Sequence, residues 1–286
     1  MILDMEVVGV KDFEPISSFF RGEKGHRRAE FFMHLFAIDK VNQVYDNSGK
    51  FTGAEFASSL LNDLGVNYLI GNAERLELLP EGAFITVSNH PYGGLDGIIL
   101  IDLMAGIRSD YKLMVNKMLS LVRTMKENFI SVTPTLSRKN SITATSIHGI
   151  RETVMHLHDG HPAGFFPSGA VSDFSLKDMC IRDRRWQSSI LHVIKSAKIP
   201  ILPIRFFNAN SPYFYFLGLI SWKIRSLRMP SELFNKRKQK QHIGIGNIIS
   251  VKDQEQFADI GKFGAFLRKF VYEMPLPASF IPRNML

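Results

Sequence analysis

The stretch FITVSNHPYGGLDGIIL, residues 84–100, says more about fold and chemistry than any other part of the chain. Its first five residues are rich in aromatic and β-branched side chains, which predicts a short strand at residues 84–88. A proline and a glycine pair then predict a tight loop, and the apolar run that begins beside Asp96 predicts a helix. The stretch therefore predicts a strand, a turn and a helix in succession.

This order of elements places His90 at the end of a strand and Asp96 at the start of a helix. Because the glycines let the loop fold back, the Asp96 carboxylate can accept a hydrogen bond from one ring nitrogen of His90 and leave the other free as a base. Such a histidine can take a proton from an alcohol that attacks an acyl carbonyl. The spacing fits equally well an Asp96 that only caps its helix and a His90 that is an ordinary loop residue. Asn89 is interpreted as a brace of the turn.

Apolar runs of strand and helix length alternate along the rest of the chain. The predicted strands are residues 84–88, 112–115, 164–166, 199–206 and 242–251, and the predicted helices are residues 96–107, 141–158, 186–197 and 254–272. Strands that alternate with helices predict an α/β layered fold with a largely parallel sheet flanked by helices. In such sheets, functional sites lie at the ends of the strands.

The first part of the chain has helical rather than alternating periodicity. Residues 16–44 are predicted to form one or two amphipathic helices that either pack on the protein or lie on lipid, and residues 51–64 a further helix that ends at Gly65. We therefore expect an N-terminal helical segment at residues 1–66, able to contact a membrane, and an α/β domain at residues 67–286. The two are expected to form one compact unit.

The composition excludes several classes of protein. Of the 286 residues, 45% are hydrophobic and 11% aromatic, which is typical of a globular chain with a single core. The lone Cys180 excludes a disulfide framework and indicates a reducing compartment. The acidic residues near the start are untypical of a signal peptide, and no apolar run approaches the roughly 20 residues of a transmembrane helix.

Basic residues are concentrated in one segment. The formal net charge is +8, from 35 basic and 27 acidic residues, and residues 221–240 hold seven basic residues and one acidic residue, which is six of that net charge. Residues 211–222, SPYFYFLGLISW, come just before. Aromatic rings beside cations fit a contact with an anionic membrane surface. The alternative is a buried strand followed by a solvated basic loop, and no motif indicates nucleic acid. The predicted membrane-contact residues are Tyr213, Phe214, Phe216, Trp222, Lys223 and Arg225.

Other candidate motifs are less specific. Ser168 lies in a strand-to-loop turn but lacks the G-x-S-x-G elbow of a hydrolase nucleophile, so it is interpreted as a turn or substrate contact. The histidines between residues 148 and 161 do not complete an H-E-x-x-H pattern, and we expect no metal site. Neither a Walker loop nor a dinucleotide fingerprint is present.

Three blocks in order resemble the glycerolipid acyltransferases of the lysophosphatidate type, in particular their bacterial hemolysin-like and ornithine-lipid-like branch. Residues 89–96, NHPYGGLD, are similar to the family's catalytic His-to-Asp block. Residues 166–172, FPSGAVS, are similar to its phenylalanine-proline-glutamate-glycine block, and residues 199–204, IPILPI, to its proline-containing strand. The resemblance covers roughly residues 84–249 and includes RMPSEL at 228–233, with Asn235-Lys236 after it.

The resemblance implies that His90 is the general base, that Asp96 orients it, and that the loop at 166–172 forms part of the acceptor pocket. The acyl donor would be a thioester of acyl carrier protein or coenzyme A, with no metal or redox cofactor. The acceptor would be a lyso-lipid, at the cytoplasmic face of the inner membrane, where the protein would be peripheral or monotopic. The substrate-binding residues expected on this basis are Asn89, Gly93, Gly94, Pro167, Ser168, Gly169, Ser172, Arg182 and Arg185.

Two departures from the family pattern bear on the acceptor. Five residues rather than four separate His90 from Asp96, an insertion that the glycine pair can absorb. In the second block Ser168 replaces the usual glutamate and Val171 the usual arginine, whose cation would meet a phosphate on the acceptor. Nearby arginines at 182, 184 or 185 can replace that cation, or the acceptor is a lyso-amino-lipid such as lyso-ornithine or lyso-glycine lipid, which we favour over lysophosphatidate.

Two rival functions remain open at this stage. One is a lipid hydrolase or acyl-enzyme transferase that uses Ser168 as nucleophile. The other is a membrane-bound lipid-binding protein without turnover.

Overall fold

The computed structural model describes residues 8–14, 17–116, 122–132 and 144–286. Ten α-helices occur in this part of the chain. They are α1 (Gly22–Leu35), α2 (Ile38–Ser48), α3 (Gly53–Asp63), α4 (Gly94–Leu100), α5 (Ala144–His158), α6 (Ser188–Ala197), α7 (Pro212–Ile220), α8 (Trp222–Asn235), α9 (Val251–Glu255) and α10 (Ile260–Tyr272). A π-helical turn, Ile101–Ala105, continues α4.

Ten β-strands alternate with the helices over the same residues. They are β1 (Leu69–Gly71), β2 (Ile85–Ser88), β3 (Lys112–Asn116), β4 (Phe129–Val132), β5 (Ala163–Phe165), β6 (Asp173–Ser175), β7 (Cys180–Arg182), β8 (Ile201–Phe206), β9 (His242–Ile245) and β10 (Phe280–Pro282).

Eight of these strands form one sheet, in the order β10-β1-β9-β8-β2-β5-β3-β4. The five strands from β8 to β4 are parallel to one another, and antiparallel pairs occur between β8 and β9 and between β1 and β10. β6 and β7 form a separate two-stranded hairpin. The predicted α/β architecture with a largely parallel sheet is confirmed.

Apolar side chains pack on both faces of the sheet. Leu113 and Val115 of β3 belong to one buried cluster and Met114 to the other, because successive side chains of a strand point to opposite faces. α3 and α4 cover the first face, where Phe56 and Ile99 are fully buried. Helices therefore flank the sheet on both sides.

The parallel order determines where the loops meet. β2 lies between β5 and β8 and is parallel to both, so the carboxyl ends of these three strands are at the same edge. The loop after β2 contains His90, the loop after β5 is residues 166–172, and β8 leads into the segment before α7. The blocks that stood apart in sequence thus converge at one edge of the sheet.

The observed elements differ from the expected ones in places. The predicted closing helix at 254–272 is two helices, since Ser250 caps α9 and Asp259 caps α10. The predicted strand at 242–251 ends at Ile245, although Ile249 still bridges to Ile201. Residues 141–143, the first of the predicted helix at 141–158, lie outside the described residues.

The largest difference concerns residues 211–235, for which the sequence left open a strand followed by a loop. Both parts are helical, as α7 and α8. Ser211 caps α7 by accepting the N–H of Phe214, and Pro212 occupies the first turn, where it needs no hydrogen-bond donor. Ser221 has extended backbone angles and separates the two helices. Four of the aromatic residues therefore belong to α7, whereas Trp222 begins α8, and the seven cations lie in α8 or directly after it.

At the N-terminus one or two helices were expected over residues 16–44, and the structure has two, α1 and α2; residue 16 lies outside the described residues. Within the described residues, no helix is both long enough and apolar enough to span a bilayer.

Candidate active site

His90 and Asp96 meet at the carboxyl end of β2. The Nδ1 atom of His90 lies 2.8 Å from Oδ2 of Asp96. The Asp96 side chain is completely buried, whereas 17% of the His90 side chain is exposed. With Nδ1 engaged by the carboxylate, Nε2 is the ring nitrogen available as a base.

Asp96 also caps α4. Its Oδ2 atom accepts the backbone N–H groups of Tyr92 at 2.9 Å and Gly93 at 3.0 Å. The same oxygen of Asp96 therefore both caps α4 and contacts His90. Burial raises the pKa of Asp96, while the contacts with His90, Tyr92 and Gly93 partly lower it.

The tight loop between them depends on Gly93. Its φ of 88° is in a region that residues with a Cβ atom rarely adopt, and a Cβ atom there would lie 2.7 Å from Sδ of Met229. Val171 is close to the same point. This conformation brings Asp96 back toward His90 despite the five intervening residues.

The backbone of the His90 loop is anchored to neighbouring strands and loops. Asn89 exchanges two hydrogen bonds with the backbone of Phe206 in β8, which confirms its role as a brace. Asp183 accepts the backbone N–H of His90 at 3.1 Å, and the same carboxylate accepts the hydroxyl of Ser172 at 2.6 Å. Asn89 and Ser172, two of the expected substrate-binding residues, are buried and hydrogen-bonded within the protein.

The loop after β5 lies against the His90 ring. Phe166 stacks on the imidazole with the ring centroids 4.1 Å apart. Ser168 is buried and donates its hydroxyl to the carbonyl of Ala170 at 2.7 Å, which fits the turn contact expected for it. Pro167 is buried as well, and its carbonyl accepts the N–H of Gln187.

A cavity of about 350 Å³ opens beside His90. Gly93, Gly94 and Gly169, three of the expected substrate-binding residues, line it. Most of its wall is apolar, and α2 and α8 contribute Val41, Val44, Met229 and Leu233. None of the described residues that line it is a lysine, an arginine or a carboxylate. The cavity suits a hydrocarbon chain rather than a charged head group.

Two of the expected substrate-binding residues are arginines that lie outside this cavity. Arg182 and Arg185 do not line the cavity beside His90 but face a second cleft with Arg184. The reason is the alternation of side chains after β7: Asp183 points inward to His90, so Arg182 and Arg184 point away.

The six predicted membrane-contact residues divide into two groups. Tyr213, Phe216 and Trp222 are more than half exposed, and Lys223 is exposed too. Phe214 is fully buried, and Arg225 is buried in an ion pair with Asp173. For these last two residues the structure corrects the prediction, because the inner face of the α7–α8 hairpin packs on the protein.

Sequence reasoning missed three residues that hold the site. Besides Asp183, these are Tyr215, whose hydroxyl donates to the carbonyl of Pro91 at 3.0 Å, and Lys236, whose ammonium lies 4.7 Å from the centre of the Tyr92 ring. Burial lowers the pKa of Lys236 to about 8. The Asn235-Lys236 pair within the resemblance was the available signal, but nothing in it showed that the lysine is buried behind the His90 loop.

Comparisons with known proteins agree with this arrangement. The family model for acyltransferases matches residues 30–276. The chain is 23% identical over 244 residues to the lyso-glycine lipid O-acyltransferase of Bacteroides thetaiotaomicron, covering 82% of this chain and 85% of the relative. It is also 23% identical over 252 residues to the enzyme of the same name from Phocaeicola vulgatus, covering 85% and 86%.

The fold is also that of a solved acyltransferase structure. The crystal structure of the 1-acyl-sn-glycerophosphate (LPA) acyltransferase PlsC from Thermotoga maritima aligns with a TM-score of 0.50 at 12% identity, covering 93% of this chain and 91% of that one. The family model spans most of the chain, including the His90 loop and the loop after β5. The chain therefore belongs to the acyltransferase family, as an enzyme that transfers acyl groups.

Proposed function

We propose that the enzyme moves a fatty acyl group from a thioester of acyl carrier protein or coenzyme A to the hydroxyl of a lyso-lipid, with His90 as general base. The observation that carries this proposal is the 2.8 Å contact of His90 with buried Asp96 beside an apolar cavity of about 350 Å³. The cavity provides space for an acyl chain next to the base.

The transfer is a direct displacement. Nε2 of His90 takes the proton of the acceptor hydroxyl, and the oxygen attacks the thioester carbonyl. When the tetrahedral intermediate collapses, the carbon–sulfur bond breaks and the thiolate takes the proton from the imidazolium. Asp96 holds the ring in the required tautomer and stabilises the imidazolium that forms. The products are an ester and the free thiol of the carrier.

The matched test of this role replaces His90 and a distant histidine in the same way. We expect His90→Ala to lower kcat by about 10²–10⁴-fold, the usual contribution of a general base. His192→Ala changes an exposed histidine of α6 and should leave the rate unchanged. Full activity of a folded His90→Ala enzyme would refute the assignment.

We further propose a lyso-amino-lipid, such as lyso-glycine lipid, as acceptor. Two relatives carry the name lyso-glycine lipid O-acyltransferase. The lack of a lysine or arginine among the described residues around the cavity also disfavours an acceptor phosphate beside His90. The test is a panel of lysophosphatidate, lyso-ornithine and lyso-glycine lipids with one thioester donor. A preference for lysophosphatidate would overturn this acceptor.

The rival that uses Ser168 as nucleophile has less support. The Ser168 hydroxyl is buried, donates to Ala170 and does not line the cavity. We expect Ser168→Ala to retain acyl transfer and no covalent acyl-enzyme to be trapped. A trapped acyl group on Ser168 would favour the rival.

We also propose that the α7–α8 hairpin holds the enzyme at the cytoplasmic face of a membrane as a peripheral protein. Tyr213, Phe216, Leu219, Ile220 and Trp222 expose apolar surface, with Lys223 among them. Rings and aliphatic side chains beside a cation fit the interfacial region of an anionic bilayer. α8 also lines the cavity, so a lipid acceptor bound at this surface would be near its wall.

A further inference from the structure

A second cleft, of about 460 Å³, lies between the β6–β7 hairpin, the start of α6 and α10. Four arginines line it: Arg182, Arg184, Arg185 and Arg268. The proposed acyl-transfer chemistry uses none of them. A cleft with four guanidinium groups suits an anionic ligand, since planar guanidinium groups bind phosphate oxygens with paired N–H donors.

The carboxylates of this cleft are already engaged within the protein. Asp183 accepts from Ser172, from Trp186 and from the backbone of His90. Asp173 is paired with Arg184 and Arg225, and Asp178 with Arg182. Among the described residues, Arg185 and Arg268 are therefore left without a carboxylate partner.

Some guanidinium donors have no acceptor at all. The Nε atoms of Arg182 and Arg268 are buried and have no hydrogen-bond partner among the described residues. Arg268 uses its Nη2 atom to donate to the carbonyl of Asp183 at 2.8 Å, which fixes its position at the cleft wall. Buried donors without acceptors are costly, so a ligand that accepts from them would be favoured.

The start of α6 separates this cleft from the cavity beside His90. Ser188 faces the cleft, while Ser189 and Ile190 line the cavity. Gln187, at the N-cap, gives the helix no side-chain cap. The positive end of the α6 dipole thus lies at the ridge between the two spaces and adds to the attraction for an anion.

Asp183 lines the cleft and is also hydrogen-bonded to the loop that contains His90. Its carboxylate accepts the backbone N–H of His90, and its carbonyl accepts a hydrogen bond from Arg268. Asp183 therefore connects the His90 loop to Arg268 of the cleft. A ligand that occupies both spaces has to be elongated and lie across the start of α6, with its anionic end in the cleft and its other end beside His90.

We propose that this cleft binds the phosphate of the 4′-phosphopantetheine arm that carries the acyl thioester. The inference rests on the proposed function and deepens it, because acyl carrier protein and coenzyme A share this arm. The arginines on this side of α6 bind the donor. The lyso-lipid acceptor then binds on the other side, where α2 and α8 form the cavity wall.

The test compares two donors that differ by one phosphate, octanoyl-4′-phosphopantetheine and octanoyl-pantetheine. We expect kcat/KM to be about tenfold or more higher for the phosphorylated donor, as one charge-assisted hydrogen bond would give. In Arg185→Gln, and more completely in Arg185→Gln with Arg268→Gln, the two donors should become nearly equal while KM for the lyso-lipid stays the same. Lys269→Gln removes a charge from the exposed side of α10 and should keep the preference.

A binding measurement separates this inference from the proposed function. Equilibrium dialysis of coenzyme A and of holo acyl carrier protein against the wild-type protein should show binding that Arg185→Gln weakens, even if no acyl transfer is seen. If the wild-type protein binds the donor but transfers no acyl group, and Arg185→Gln weakens that binding, the proposed function is rejected and the cleft assignment stands. Transfer with an unchanged donor preference in both arginine variants would overturn the cleft assignment.

Discussion

At Asp96 one carboxylate oxygen serves both the helix and the histidine. Oδ2 accepts the N–H groups of Tyr92 and Gly93 and lies 2.8 Å from Nδ1 of His90. An asparagine side chain can accept the two backbone N–H groups equally well, because asparagine and aspartate are similar helix caps. It carries no negative charge with which to stabilise an imidazolium. Replacement of Asp96 by asparagine can therefore separate its role as a helix cap from its proposed role in catalysis.

We expect Asp96→Asn to lower kcat by about 10³–10⁴-fold, as loss of the orienting carboxylate does in histidine-based sites. The urea midpoint should change little, since burial already raises the pKa of Asp96 and the neutral amide avoids burying a charge. Asp96→Ala should lose activity and also about 1 kcal/mol or more of stability, because the cap is lost. Wild-type activity in the asparagine variant would contradict the role given to Asp96.

A glycine pair in the same loop provides a second test. Gly93 has φ of 88° and no room for a methyl group beside Met229, whereas a Cβ atom at Gly94 would meet nothing within 4 Å. We expect Gly93→Ala to lower the free energy of unfolding by about 1–3 kcal/mol and to reduce kcat. Gly94→Ala, the matched control for stability at the start of α4, should unfold at the same temperature as the wild type. Equal thermal midpoints for the two variants would show that the loop does not need the glycine at 93.

Lys236 should make stability depend on alkaline pH. Its folded-state pKa is about 8, below the value of 10.5 of an exposed lysine. Between these values the unfolded chain binds the proton that the folded protein has released, so the free energy of unfolding rises with pH, by at most about 1.4 kcal/mol per pH unit. Below pH 8 this lysine contributes no pH dependence.

Urea unfolding of the wild type and of Lys236→Met at pH 8 and about pH 9.5 measures this contribution. The wild type should gain stability relative to the variant over this range. A parallel pH dependence of the two proteins would show that Lys236 titrates normally.

The residues that the sequence could predict are those whose role is local. His90 and Asp96 are separated by a short loop with a glycine pair, so their contact follows from chain geometry. Phe214 and Arg225 were placed at a membrane because composition shows what a segment contains, not which face of a helix points inward. The partner of Arg225 is Asp173, which is 52 residues away in the sequence.

Among the elements, the α7–α8 hairpin connects the protein surface to the His90 loop. On its inner face the hydroxyl of Tyr215 donates to the carbonyl of Pro91, next to His90. Glu232 of α8 accepts the N–H and the hydroxyl of Ser211, which closes the hairpin. On its outer face the apolar side chains have no cover in the described part of the chain.

We expect the double variant Phe216→Ser with Trp222→Ser to bind anionic vesicles at least about tenfold more weakly, because each buried ring contributes more than 1 kcal/mol at an interface. The side chains are 56% and 60% exposed, so folding should be unaffected. Sedimentation with phosphatidylglycerol vesicles gives the partition constant.

Two controls locate the contact. Leu276→Ser changes a leucine that is 65% exposed outside the hairpin and should bind like the wild type. Phe31→Ser tests α1, where Phe31 is 64% exposed, as the other helix that could lie on lipid. Loss of binding in Phe31→Ser alone would move the membrane contact from the hairpin to α1.

Elements were predictable where strands and helices alternate and less so elsewhere. The strands that carry the site were found within two residues of their observed ends, since their apolar runs are bounded by proline and glycine. Residues 211–220 were ambiguous because a short, wholly apolar run has no periodicity that distinguishes a strand from a helix. The caps Ser211, Ser250 and Asp259 were visible in the sequence and would have placed three helix starts.

For the whole molecule, the fold divides the net charge into buried and exposed parts. Residues 221–240 provide six of the eight net positive charges. Arg225 and Lys236 of this segment are buried, the first beside Asp173 and the second near Glu232. The cations left in contact with water are Lys223, Arg237, Lys238 and Lys240, with Arg228 partly exposed. The effective charge toward a membrane is therefore smaller than the sequence suggests, and three of the exposed cations, Arg237, Lys238 and Lys240, directly follow α8.

This distribution predicts how salt affects membrane binding. Each lysine or arginine near an anionic surface contributes about 1 kcal/mol, so the triple variant of Arg237, Lys238 and Lys240 to glutamine should bind phosphatidylglycerol vesicles about 100-fold more weakly at low salt. Screening reduces the same term, so the wild type and the variant should converge at about 0.5 M salt. The binding that remains at high salt should come from the apolar side chains of the hairpin, so the double variant Phe216→Ser with Trp222→Ser should lose it.

The matched control is the triple variant of Lys252, Lys262 and Lys269 to glutamine, which removes the same charge from α9 and α10. If the hairpin end faces the membrane, this variant keeps the wild-type affinity and salt dependence. If both triple variants lose affinity equally, the attraction comes from net charge alone and the hairpin has no orienting role. On vesicles of neutral lipid, only the apolar side chains of the hairpin should contribute to binding. The affinity for these vesicles should therefore be independent of salt.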